Sequence, residues 1–275
     1  MSSSGVNTTP EPISEFSVEA SVGKIPGYST TNKFGLATDC DSAVATDIWD
    51  GADGATSTDV WVPPTAARTH TIVSASNTDS DTGGVNPQAA GARTVKLFGL
   101  TGWDTAESSE TVILDGTTGV VTANSYVIIH RMQVVTWGAN GINAGIITAT
   151  ATTDGTITAA ISLGKNQTNM CIYGVPSTQK LRITKARAEI VTGAGGTTRM
   201  TGELLEMTDP ATNASSNTAW TNKENFTQSE SVVPWVEFYD PPKACDGPCI
   251  VKIQVSCASN NNSVIATFDA FIVDN

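Results

Sequence analysis

Val251-Lys252-Ile253-Gln254-Val255-Ser256-Cys257, then Asn260-Asn261-Asn262, then Val264-Ile265-Ala266-Thr267-Phe268-Asp269-Ala270-Phe271-Ile272 closes the chain just before Asp274-Asn275. Val251, Ile253, Val255 and Cys257 alternate with polar partners, and a period of two puts them on one face of a half-buried strand. Asparagine tolerates the positive φ of tight turns, so the Asn triplet reads as a turn. Val264, Ala266, Phe268, Ala270 and Ile272 then alternate again. This spacing predicts a C-terminal hairpin whose last strand carries the C-terminus into a sheet.

The rest of the chain repeats that grammar. Its 275 residues suffice for one large core or two modest ones. Thr is the most conspicuous residue type, with 40 copies, and the 24 glycines supply turns. β-Branched Thr suits the wet face of a pleated sheet. Lys, Leu and Glu, the builders of amphipathic helices, are scarce. Strand-like runs fall at residues 69–74, 93–100, 110–114, 125–137, 146–153, 156–163, 170–175, 179–191, 198–207 and 232–239. Asp115-Gly116 and Asp154-Gly155 are two-residue hairpin signals. Residues 24–59 promise at most two short strands, and residues 208–227 and 241–248 read as polar loops. Gly193-Ala194-Gly195-Gly196 reads as a turn. No period of 20–50 residues marks a solenoid or propeller. The predicted fold is all-β: an antiparallel β-sandwich or jelly-roll-like domain over residues 25–275, preceded by an extended N-terminal arm over residues 1–24.

Charge excludes some partners. Lys and Arg total 15 against 27 Asp and Glu, a formal charge of −12, and phosphate binding needs clustered cations. Lys180, Arg182, Lys185 and Arg187 share one strand and read as a solvated face. Nucleic acid and anionic membrane are therefore not expected partners. No apolar leader follows Met1 and no run approaches a membrane span, which predicts synthesis in the cytoplasm. Five cysteines without framework spacing fit reduced thiols.

Tests for chemistry return few signals. Asn77-x-Asp79-x-Asp81 resembles the start of a calcium loop, but Thr82 stands where the turn needs Gly and Gln88 where a bidentate Glu belongs. It reads as an Asx-rich surface turn. Cys245-Asp246-Gly247-Pro248-Cys249 lacks the second ligand pair of a zinc site. It is either a turn with two thiols or a local disulfide formed after release from the cell. Cys257 reads as a small core residue, and Cys40 and Cys171 have no evident partners. His130 shares a strand face with Tyr126, Ile128, Met132 and Val134, with no activated serine motif in the chain, and reads as a satisfied core histidine. Trp61, Trp103, Trp137, Trp220 and Trp235 read as core or interface material rather than a sugar platform. No catalytic residue, cofactor or metal ligand is assigned.

Several segments carry a resemblance when taken in order. They are residues 25–35 (IPGYSTTNKFG), 47–51 (DIWDG), 92–100 (ARTVKLFGL), 109–117 (SETVILDGT), 126–132 (YVIIHRM), 167–176 (QTNMCIYGVP), 258–262 (ASNNN) and 271–275 (FIVDN). This order resembles a family of virion structural proteins of tailed, chiefly aquatic, bacteriophages, over about residues 22–275 and least over 193–240. The resemblance implies a non-enzymatic virion component and brings no catalytic residues. A head decoration or cement protein is the first expectation, a homo-oligomer bound to the major capsid protein or other virion subunits. Ile13, Phe16 and Val18 of the arm are its expected partner contacts. The alternative is a tail-associated adaptor or receptor-binding protein that presents residues 76–91 or 213–225 to the host surface.

Overall fold

The computed structural model describes residues 12–42, 44–52, 59–81, 89–192, 199–214, 219–229 and 234–275. In chain order these form α1 (Pro12–Ser21), β1 (Tyr28–Cys40), β2 (Thr46–Asp47), a 3-10 turn (Asp50–Ala52), β3 (His70–Ser74), β4 (Ala92–Leu100), β5 (Ser108–Ile113) and β6 (Val120–Val121). They continue with β7 (Ile128–Trp137), β8 (Ile147–Ala151), β9 (Ile157–Ile161), β10 (Ile172–Val175), β11 (Gln179–Thr192) and β12 (Arg199–Thr208). The chain ends with α2 (Pro210–Asn213), β13 (Trp220–Ser229), β14 (Trp235–Asp246), β15 (Cys249–Cys257) and β16 (Asn262–Asp274). Hydrogen bonding sorts the strands into four sheets, ordered β1-β16-β11-β14, β10-β15-β12-β13 with β2 also on β15, β6-β3-β8-β9, and β5-β4-β7. Every ladder between named strands is antiparallel. One hydrophobic cluster runs through all four sheets, joining Ala37 and Phe268, Ile253 and Met200, Ile72 and Ile161, and Leu97 and Met132.

The terminal hairpin does not form. Both predicted strands exist, and the last one is paired nearly to its end, but they do not pair with each other. β15 lies between β10 and β12, while β16 lies between β1 and β11. The Asn triplet, with Asn261 at φ +60°, carries the chain from one sheet to another. Alternation specifies which face of a strand is buried, not which neighbour it bonds, so hairpin and crossover look alike in sequence. Asp115-Gly116 behaves similarly: Gly116 turns at φ +61°, yet β5 and β6 enter different sheets. Asp154-Gly155 does close a hairpin, between β8 and β9.

Further differences have local causes. Thirteen-residue β1 was hidden because its inward face carries Lys33, Gly35 and Ala37 instead of large apolar side chains. Gly35 is required there, since a Cβ would lie 2.4 Å from the Ile48 carbonyl oxygen and 2.6 Å from the Cys171 nitrogen. These two backbone groups bond to each other at 2.9 Å. β13 was hidden because it is an edge strand that buries only Phe226 and Gln228 among its described side chains, so it can stay polar. β14 absorbs the predicted loop. Pro241 and Pro242 fall inside a bulge between the Ile183–Lys243 and Lys185–Phe238 pairs, on an edge strand where no ladder N–H is needed from them. The segment before β1 is helical rather than extended over Pro12–Ser21. The predicted Gly193 turn lies outside the described residues.

Buried carboxylates fasten the loops to this frame. Asp79 is fully buried and accepts from Ser74 Oγ at 2.6 Å and from the backbone N–H groups of Ala92, Ala144 and Gly145 at 2.7, 2.8 and 2.9 Å. It ties the end of β3, the start of β4 and the approach to β8 into one knot. Asp47 does the same for two-residue β2. Its carboxylate accepts from Lys252 Nζ at 2.7 Å, Gln254 Nε2 at 2.9 Å and Trp61 N–H at 2.8 Å. Lys252 and Asp47 expose only 1% and 0% of their side chains, and the Trp220 ring lies 4.2 Å from the ammonium. Burial pushes the Asp47 carboxyl up, against the pull of Lys252. Asp50 accepts from Ser162 Oγ and from Asn169 N–H, both at 2.5 Å, and burial raises its pKa to about 6.

Asp79 makes the Asx run from Asn77 to Asp81 a buried structural knot rather than a surface turn, and its residues play unequal parts; Thr82 and Gln88 lie outside the described residues. Asn77 Oδ1 is occupied by Thr117, at 3.2 Å from its N–H and 2.7 Å from its Oγ1. Among the described residues no acidic, Cys or His cluster is suited to a metal. Asp79→Ala leaves four donors without their acceptor and is expected to lower unfolding free energy by about 3–5 kcal/mol in urea titrations. Asp81→Ala should cost no more than about 0.5 kcal/mol. Comparable losses at both positions, with a calcium-dependent rise in Tm, would show co-ligands of an ion instead.

Candidate functional site

The expected contact residues sit on α1. Phe16 meets Tyr28 and Phe271 edge-on, with ring centroids 5.3 and 5.2 Å apart. Those rings come from β1 and β16, so the helix is pinned to the outer face of the first sheet. Val18 points away and is 61% exposed. The side chain of Ile13 lies outside the described residues. Beside α1 runs an apolar groove of about 980 Å³, lined by all four strands of that sheet and containing Phe16, Val18, Phe238, Tyr239, Pro242 and Phe271. Phe238 is 71% exposed, an unusual position for so large an apolar side chain, and Lys185 Nζ stands 5.4 Å from its ring centre.

Sequence reasoning singled out Phe16 and Val18 of this surface but not Tyr28, Phe238 and Phe271. A signal for Phe271 was present. It falls out of phase with Val264, Ala266, Phe268 and Ala270, all of which are buried, and so belongs to the opposite face of β16. Phe238 gives no comparable signal, because few residues of β14 are buried on either side.

A second, polar cleft of about 550 Å³ lies where β1 meets β7, with Lys33, Glu107, His130, Arg131, Thr168 and Tyr173 in its lining. Lys33 reaches inward and donates to the His130 carbonyl at 2.5 Å, and burial lowers its pKa to about 8. His130 is buried against the Tyr173 ring at 4.7 Å, and burial holds its imidazole below the usual histidine range. Burial pushes Glu107 up, but the His130 hydrogen bond and the nearby positive charges outweigh it, leaving the carboxyl below its ordinary value. A neutral imidazole therefore donates Nε2–H to the Glu107 carboxylate at 2.6 Å. Nδ1 then keeps its lone pair without a hydrogen-bond partner. With Nε2 spent on Glu107, the ring activates no hydroxyl or thiol among the described residues. The cleft can hold a small hydrogen-bonding molecule; it does not assemble a nucleophile and base.

The remaining candidates disperse. Trp61 is buried, with Nε1–H on the Thr158 carbonyl at 2.8 Å. Trp220 covers Lys252, and Trp235 stacks on Phe226 at 4.0 Å. Trp137 is half exposed and Trp103 packs against the core, so these rings form no shared platform. The basic residues of β11 are half-buried, and its two arginines are matched with acids: Arg182 pairs with Asp246 at 2.7 Å, and Arg187 pairs with Glu189. Cys245 and Cys249 are free, buried thiols beside the Glu206 carboxylate. Residues 213–225 are no continuous loop, since β13 begins at Trp220. No described helix is long and apolar enough to cross a membrane.

Comparison with known proteins adds little. No family model matches the chain, and no curated protein matches it. Among solved structures, that of infectious bursal disease virus Gx strain aligns over 90% of this chain and 70% of its own at 7% identity, with a TM-score of 0.20. The Gt strain structure aligns over 93% and 80%, at 7% identity and a TM-score of 0.17. Likeness this slight carries no argument about fold or function.

The α1 surface is the better candidate, and its hold on the body can be measured. Phe16→Ala removes the ring between Tyr28 and Phe271. It should raise the rate at which a glutamate-specific protease cuts after Glu19 by about tenfold, from the loss of about 1–2 kcal/mol of packing. The unfolding midpoint of the β-body should stay within experimental error of the parent protein. An unchanged cleavage rate would mean that Phe16 does not hold the helix.

Proposed function

We propose that this protein is a structural, non-enzymatic component of a bacteriophage virion, a head decoration protein that binds and stabilises the capsid. The apolar groove beside α1 carries the reading. It interrupts an acidic surface with Val18, Phe238 and part of Phe16, and no segment of the described chain covers it. The ordered resemblance of residues 22–275 to tailed-phage virion proteins supports the same conclusion. The body is read as a β-sandwich in which stacked sheets present α1 and the groove on one side.

Burying an exposed Phe or Val side chain contributes roughly 1.5–3 kcal/mol before the cost of ordering is subtracted. A groove with three such residues gives one weak contact. Decoration of a capsid lattice multiplies it, because linked copies bind with avidity. In this reading α1 reaches the major capsid protein or a neighbouring copy, and a net charge of −12 keeps unassembled protein soluble. Lys185, 5.4 Å from the Phe238 ring, offers a cation at the groove rim for an acidic partner residue.

Copy number per purified virion, measured by quantitative mass spectrometry against the major capsid protein, tests the proposal. Hundreds of copies per particle are expected of a head lattice component, and removing residues 1–21 should abolish binding to expanded empty heads. A count between three and a few dozen would overturn head decoration in favour of a tail-associated adaptor or receptor-binding protein. Absence from the particle would overturn the virion reading itself.

A further inference from the structure

The crossing from β15 to β16 brings together two cysteines from opposite ends of the sequence. Cys40 ends β1 and Cys257 ends β15, so they belong to different sheets. Both side chains are buried in the core, and each thiol lies close enough to perturb the other. Neither sequence spacing nor a motif pairs these residues; the fold does.

The backbone around them is held on every side. Cys257 N–H donates to the Asp41 carbonyl at 3.3 Å, and Cys257 also bridges Ser42 in parallel register. Cys40 stands opposite Asn262 in the β1–β16 ladder. Asn260 Oδ1 accepts from Ser42 N–H at 2.9 Å and Ser42 Oγ at 2.7 Å, while Asp41 Oδ1 accepts from Asn261 N–H at 2.9 Å. The two chain segments are thus fixed before any bond joins the sulfurs, and little chain entropy remains to be lost in joining them.

The two thiols are also unequal. The contact with Cys257, reinforced by burial, holds the Cys40 thiol far above its ordinary pKa, while the contact with Cys40 lowers that of Cys257. Cys257 is the sulfur that becomes a thiolate, and thiolate is the attacking form. It directly precedes the exposed turn positions 258, 260 and 261. Cys245 and Cys249 differ in kind. Both face Glu206, and burial pushes Cys245 up to about 12 and Cys249 higher still, so neither is primed to attack.

We propose that Cys40 and Cys257 are a latent disulfide, closed by a low-molecular-weight disulfide such as oxidised glutathione. The Cys257 thiolate attacks one glutathione sulfur, forming a mixed disulfide and expelling one glutathione thiolate. The Cys40 thiol then gives up its proton and its sulfur displaces the second glutathione from Cys257. In sum, two protein thiols and one oxidised glutathione become one protein disulfide and two reduced glutathiones. The bond straps β1, an edge strand, to β15, the centre of the neighbouring sheet.

Full-length protein incubated with oxidised glutathione, then digested and mapped without reduction, tests this. A peptide containing Cys40 should be joined to one containing Cys257, with the intact chain lighter by two hydrogens. The Tm should rise on oxidation and fall back with dithiothreitol, and Cys257→Ser should lose both the linkage and the rise. A Cys245–Cys249 linkage in its place, a glutathione adduct persisting on Cys257, or an oxidised chain with unaltered Tm would overturn the proposal. The mapping uses the unsubstituted chain and so does not depend on any variant folding.

Discussion

Two consecutive strands at the end of the chain each occupy the interior of a different sheet, and the other strands of those sheets assemble around them. β16 takes β1 on one side and β11 on the other; β15 takes β12 on one side and both β10 and β2 on the other. The short Asn crossing between them fixes how far apart the two sheets can stand. Val251, Ile253 and Val255 then share a core with Val264, Ala266 and Phe268. Most of these pairings join residues far apart in sequence, so loop-closure entropy must be met before the core rewards it. The N-terminal strand β1 finds its partner only when the last residues of the chain are present.

Buried polar groups complete what short strands and loops cannot hold by ladders alone. β2 contributes two backbone pairings to β15, but its Asp47 side chain engages Lys252, Gln254 and Trp61. Asp79 gathers three loop segments by the same means. Such groups are costly to bury unless fully partnered, and these are. They therefore select one arrangement of the loops over others that bury equal apolar area. The surface around α1 shows the opposite condition: apolar side chains without cover, on a helix held to the sheet chiefly through Phe16.

Much of this was legible in the residues themselves. Alternation located β3, β4, β7, β8, β9, β11, β12, β15 and β16, and Asp154-Gly155 placed the β8–β9 turn, because one-sided burial writes a period of two into sequence. β1 escaped because Lys33 and Gly35 stand where large apolar residues are expected, one reaching a carbonyl and the other admitting a backbone crossing. β13 escaped because an edge strand that buries only Phe226 and Gln228 among its described side chains can stay polar. Pairing was the harder part, since a strand's face is a local property and its neighbour is not. Of the candidate surface, Phe16 and Val18 were readable as apolar residues in a polar arm. Phe238 and the Cys40–Cys257 contact follow only from the tertiary fold.

The central claim is that β15 and β16 organise two sheets around one core and therefore unfold together. Residue-resolved hydrogen exchange on the native protein tests it most directly. The interior amides of both strands should be the slowest in the chain and should exchange with one shared opening free energy, equal to that of global unfolding. If the amides of one strand exchanged through a distinctly cheaper opening while the other stayed protected, the sheets would be independent units and the account would fail.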